Sequence, residues 1–111
     1  MSRRRRNRTN KSFVMIGRRM LLKTNEWKSL TPSAKLLYIY LKSRYNGSNN
    51  GEIQLHYSEL KGIKGLSSNN TVAKAFQELE KKGWIKKTRI GGLYRYVNEF
   101  ELTGTYDDHI L

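Results

Sequence analysis

The alternation of apolar and polar positions is most regular between Ser67 and Val97. At about 100° per residue, Val72, Ala75, Phe76 and Leu79 fall on one narrow face, and Asn70, Lys74, Gln77 and Lys81 fall on the opposite one. That spacing predicts an amphipathic helix. Ser67 or Ser68 caps its start by offering a hydroxyl to a free backbone N–H, and Gly83 ends it just after Lys81 and Lys82 in the left-handed conformation. The period then changes. Trp84–Ile90 and Leu93–Leu102 are rich in β-branched and aromatic residues, and Gly91-Gly92 between them suits a two-residue hairpin turn. Tight closure at that turn sets Lys87 opposite Tyr96 and Arg89 opposite Tyr94.

Upstream, Thr31 is a cap and Pro32 sits at the first helical position, where its missing donor costs nothing. The helix they start runs to about Tyr45. Ala34, Leu36, Leu37, Tyr38, Ile39, Tyr40 and Leu41 occupy most of its circumference and leave mainly Lys35, Lys42 and Ser43 for water, so it is expected at the centre of the domain. Asn46–Gly51 is a turn cluster. Glu52-Ile53-Gln54-Leu55 alternates like a short strand. Tyr57–Ile63 has helical spacing at Tyr57, Leu60 and Ile63, and Gly62 and Gly65 loosen the turn into Ser67. At the N-terminal side Phe13, Met15, Ile16 and Met20–Leu22 lie on the body of the domain, as strand or helix. Thr24 caps a short turn bearing Trp27, a core anchor.

Composition narrows the partners. The chain has 111 residues, 22 of them basic and 9 acidic, for a formal charge of +13. Residues 1–25 contain Arg3, Arg4, Arg5, Arg6, Arg8, Lys11, Arg18, Arg19 and Lys23 and no acid. A front-loaded basic excess makes polyanions the expected partners, nucleic acid ahead of an anionic membrane. The length fits one domain with extensions: a basic arm over 1–12, disordered alone, a folded domain over 13–103 and a polar tail over 104–111. No apolar run approaches the roughly 20 residues that span a bilayer, so no membrane partner is expected. Gly17-Arg18-Arg19 echoes a twin-arginine export signal, but no long apolar stretch follows, and a cytoplasmic, nucleoid-associated protein is expected.

Catalytic and metal chemistry find little support. The chain has no cysteine and two histidines, His56 and His109. A nucleophile and its base would have to be assembled from scattered hydroxyls and His56, which suits an exposed cap or a phosphate donor better. Asp107-Asp108-His109 invites a metal reading, yet three neighbouring residues do not converge easily on one ion. The expectation is a protein that is not an enzyme and carries no metal and no cofactor.

Taken together, SSNNTVAKAFQELEKKGWI, the upstream WKSLTPSAKLLYIYL and NNGEIQLHYSEL resemble the winged helix-turn-helix DNA-binding domains of bacterial regulators and of plasmid or phage replication initiators. The resemblance covers about Phe13–Thr103. It implies an α+β fold: a three-helix core with a helix-turn-helix, and a small antiparallel sheet with a β-hairpin wing, the strand at Glu52–Leu55 making that sheet three-stranded. In that family the capped helix enters the major groove and the wing touches backbone or minor groove. Asn and Gln can pair bidentately with adenine, and Lys can donate to guanine. Asn69, Asn70, Lys74 and Gln77 are therefore the candidate base readers. Ser67, Ser68 and Thr71 are the candidates to hold phosphate at the helix start, and Lys86, Lys87, Arg89 and Arg95 those of the wing. Arg3, Arg4, Arg5, Arg6 and Arg8 form an arm suited to phosphates or a minor groove. Duplex DNA is the expected partner, with homodimerisation a way to enlarge the contact, in transcription control or replication initiation. Two alternatives stay open: an RNA- or ribosome-binding basic protein, and a winged helix that docks a protein partner.

Overall fold

The structure, a computed structural model, describes residues 12–90 and 98–110. Among these residues four α-helices, α1 (Arg18–Lys23), α2 (Asn25–Lys28), α3 (Pro32–Lys42) and α4 (Asn69–Lys81), pack with strands β1 (Ile85–Arg89) and β2 (Glu99–Leu102). A single 3-10 turn at Tyr57–Leu60 stands where the short helix was expected. The antiparallel two-stranded sheet beside the helices makes an α+β fold consistent with a winged helix-turn-helix domain.

Local sequence explains α3. Thr31 accepts the Ala34 N–H on its hydroxyl at 3.3 Å, and Pro32 opens the first turn. Ala34, Leu37, Tyr38 and Leu41 are buried, as a central helix requires. Around them two aromatic groups form the interior. Trp27, Tyr38 and Trp84 meet edge to face at 5.2–5.9 Å, and Tyr106 leans on Trp84. Phe76 of α4 stacks between Tyr57 and Phe100, which joins the helix to the sheet.

Lys42 does not face water. It is 4% exposed, and its ammonium pairs with Asp107 at 2.7 Å and donates to the Met15 carbonyl at 2.5 Å. Tyr38 donates its hydroxyl to the same carboxylate at 2.5 Å. A buried ammonium survives only with a partner, and here the partner comes from the segment after Thr103, folded back on α3. Burial and the Asp107 bond push the Tyr38 hydroxyl well above its usual range. Burial alone would raise the Asp107 carboxyl, but its bonds from Lys42, Tyr38 and the His109 N–H outweigh that and hold it below the ordinary value.

Other expectations are corrected too. At the N-terminal side only part of the apolar set packs: Met20 is buried and Ile16 and Leu21 pack partly, whereas Phe13, Met15 and Leu22 are exposed. Thr24 stands at the start of α2, but its hydroxyl donates back to the Met20 carbonyl at 2.6 Å instead of capping. Glu52–Leu55 is not a full third strand. Ile53 alone bridges to Phe100, and the Asn50 side chain satisfies both the N–H and the carbonyl of Leu102, at 2.8 and 2.9 Å. A side-chain amide therefore covers the edge where further strand pairing was expected.

The hairpin register differs as well. Ile85 pairs with Leu102, Lys86 with Glu101, Lys87 with Phe100 and, past an irregularity at Thr88, Arg89 with Glu99. Lys87 and Arg89 thus face Phe100 and Glu99, not Tyr96 and Tyr94. Ile85 and Leu102, both buried, anchor this register on the core. Gly91, Gly92 and the wing residues through Val97 lie outside the described residues.

Candidate nucleic-acid interface

α4 is held by both of its ends and by one face. Ser68 accepts the Thr71 N–H on its hydroxyl at 3.4 Å. At the other end Gly83 adopts φ 83°, and the Gly83 and Trp84 N–H groups return to the Glu80 and Leu79 carbonyls at 3.2 and 2.9 Å. This is the paired glycine stop that closes a helix when the residue after its C-cap is left-handed. Val72, Ala75, Phe76 and Leu79 are all buried. Asn70, Lys74, Gln77 and Lys81, at successive turns of the opposite face, are all exposed.

Glu78 fixes how α4 lies on α3. Its carboxylate accepts the Thr31 N–H at 2.9 Å and the Thr31 hydroxyl at 2.7 Å. Lys82 adds an ion pair at 3.4 Å and donates to the Ser29 carbonyl at 3.1 Å. Burial pushes the Glu78 carboxyl up, but the Thr31 and Lys82 bonds outweigh it and hold it below its ordinary value.

Ser67, Ser68, Asn69 and Asn70 are exposed and cluster with the half-buried Thr71 at the start of α4. Ser68 is the one whose hydroxyl serves as cap; the first backbone N–H groups of any helix lack intrahelical partners and can meet an anion. On β1, Lys86, Lys87, Thr88 and Arg89 are exposed. Lys87 pairs with Glu80 at 4.0 Å, and Arg89 with Glu99 at 3.7 Å. Arg95 and the arm residues Arg3, Arg4, Arg5, Arg6 and Arg8 lie outside the described residues.

The turn before α4 is tighter than expected. Gly62 and Gly65 sit at φ 85° and 97°, and the bonds around them close two turns in sequence, so these glycines fix the backbone instead of loosening it. Lys61 and Lys64 beside them are exposed. The repeated Lys-Gly pair is visible in the sequence, but no local pattern marks these two lysines as part of a site.

A 3-10 turn, a tight connection and a capped helix with one buried and one polar face define a helix-turn-helix domain, a class that binds DNA. A family model described as a helix-turn-helix domain matches residues 28–85, more than half of the 111. The chain belongs to that family. No curated protein and no solved structure matches it. Among the described residues no helix is long and apolar enough to cross a membrane.

Proposed function

We propose that this protein binds duplex DNA sequence-specifically, with α4 in the major groove, and serves transcription control or replication initiation in a bacterial or mobile element. The observation that carries the reading is the exposed Asn70, Lys74 and Gln77 stripe on a helix whose other face is locked into the core. A rigid helix presenting amide and ammonium groups at successive turns has the donors and acceptors that distinguish base pairs in the major groove. Asn69, the first residue of α4, adds an exposed amide beside the stripe. Two copies on half-sites about 34 Å apart would enlarge the contact of so small a module, and a cytoplasmic place beside the nucleoid follows from the same reading.

We read the displaced Tyr38, Glu78 and Asp107 groups as structural, because each is engaged by a named neighbour, and the chain as a binder and not a catalyst. The test is selection of binding sites from a random duplex pool, followed by affinity for the selected duplex, a random duplex and an RNA hairpin of equal charge. An enriched motif bound more tightly than both controls supports the reading. An unenriched pool, or tighter binding to RNA, overturns it.

A further inference from the structure

We infer that Lys61 and Lys64 form a rigid clamp for the DNA sugar-phosphate backbone, and that the described wing strand contributes little of the phosphate contact. The inference rests on the DNA reading above and assigns its electrostatics to a different element from the one the resemblance suggested. Leu60-Lys61-Gly62-Ile63-Lys64-Gly65-Leu66 takes the same three-residue step twice. The Ile63 N–H donates to the Leu60 carbonyl at 3.2 Å, and the Leu66 N–H donates to the Ile63 carbonyl at 3.0 Å. Lys61 at φ −61°, ψ 138° and Gly62 at φ 85° occupy the central positions of a type II turn. Gly65, at φ 97°, repeats the left-handed position.

Each turn places an apolar residue inside and a lysine outside. Leu60 and Leu66 are buried and Ile63 packs against the core, while Lys61 and Lys64 are exposed. The Gly65 carbonyl accepts from the Ser33 hydroxyl at 3.0 Å, which ties the double turn to α3 just before the capping Ser68. Cations carried on a backbone fixed in this way lose less conformational freedom on binding than cations on a loose loop.

Charge separates this pair from the wing. Lys87 is paired with Glu80, Arg89 with Glu99, and Lys86 has Glu101 as its cross-strand neighbour. Two of the three basic residues of β1 are thus ion-paired and the third stands across from a glutamate in the register, and a strand so balanced has little net charge to exchange for counterions on DNA. Lys61 and Lys64 have no ion-pair partner among the described residues. The nearest acid in sequence, Glu59, is taken by Arg44 and by the His56 N–H.

The experiment compares DNA affinity over a salt series for the whole chain and three variants, on a random and on a selected duplex. One variant is Lys61→Ala/Lys64→Ala, one is Lys61→Arg/Lys64→Arg, and one removes two wing pairs without changing net charge (Glu80→Gln, Lys87→Gln, Arg89→Gln, Glu99→Gln). The alanine variant is expected to lower the salt slope by up to about 1.8, about 0.9 per phosphate, and to weaken both duplexes by the same factor. The arginine variant should keep the slope, and the wing variant should change it by less than half as much. Thermal midpoints of the two lysine variants should match the unaltered chain, since neither side chain holds the fold. An unchanged slope for the alanine variant, a slope lost equally by the arginine variant, or the larger loss in the wing variant overturns the clamp. Absence of salt-dependent duplex binding by the whole chain would overturn the DNA reading itself, so the two failures are distinguishable.

Discussion

Glu78 on α4 and Thr31 at the start of α3 are joined by two hydrogen bonds, at 2.9 Å to the Thr31 N–H and 2.7 Å from its hydroxyl. The hydroxyl that donates to Glu78 also accepts the Ala34 N–H. One threonine thus caps its own helix and positions the helix that carries the candidate base readers. Glu78→Ala should cost about 1–2 kcal/mol, the range for hydrogen bonds to a charged group discounted for solvent access. Urea denaturation measures it, and a loss below about 0.3 kcal/mol would mean that apolar packing alone sets the α3–α4 geometry.

The pH dependence follows from the two lowered carboxyls. Glu78 and Asp107 both titrate below their ordinary values in the folded chain. A group whose folded value is depressed contributes stability that is fully present above its unfolded value, near pH 4, and is lost as pH falls through the folded value. The thermal midpoint should therefore fall steadily as pH is lowered from about 5 to 2. Glu78→Gln should flatten that slope. An identical acid profile for the variant and the unaltered chain would remove Glu78 from the account.

Lys42 and Asp107 offer a sharper contrast. Removing one partner of a buried pair leaves an uncompensated charge, so Lys42→Met should cost about 3–5 kcal/mol. Replacing both, Lys42→Met with Asp107→Leu, should recover most of that loss, because an apolar pair of similar volume is often neutral. Calorimetric midpoints of the single and double variants test it. A double variant no more stable than the single would show that the Tyr38 and Met15 contacts matter more than the ion pair.

On α4 the exposed positions should separate by role. Lys74→Ala is expected to reduce discrimination at one base pair of a selected site by about 1–3 kcal/mol, with a smaller effect on a random duplex. Gln77→Ala should act at a different base pair, one helical turn further along. Equal losses on selected and random duplexes for both variants would make them backbone contacts.

Legibility in the sequence followed the distance over which each element is determined. α3 and α4 could be placed because their boundaries are local: Thr31 with Pro32, and Ser68 with Gly83, each act within a few residues. The buried and exposed faces of α4 came from the same short-range periodicity. Lys42 was misplaced because its counter-ion lies 65 residues away, and a lysine next to Ser43 reads as wet until a carboxylate from the far end of the chain is known to reach it. The β-register was missed for a related reason. It depends on the irregularity at Thr88, whose hydroxyl bonds the Gly51 carbonyl at 2.5 Å, and on Asn50 occupying the edge of β2. Both are tertiary choices that no alternation reports. Of the candidate interface the amide-ammonium stripe is readable, while Lys61 and Lys64 are not, because two glycines in a short stretch signal slack equally well as two fixed turns.

The return of the segment after Thr103 to α3 makes the interior depend on residues outside the helix-turn-helix. Asp107 is 2% exposed and is the counter-ion of an interior lysine, and Tyr106 covers Trp84. Displacing this one segment would therefore strip the charge balance and an aromatic cover from the interior together. It works as a latch: the helix at the centre of the domain stays neutralised only while a stretch outside the helix-turn-helix match at 28–85 remains docked on it.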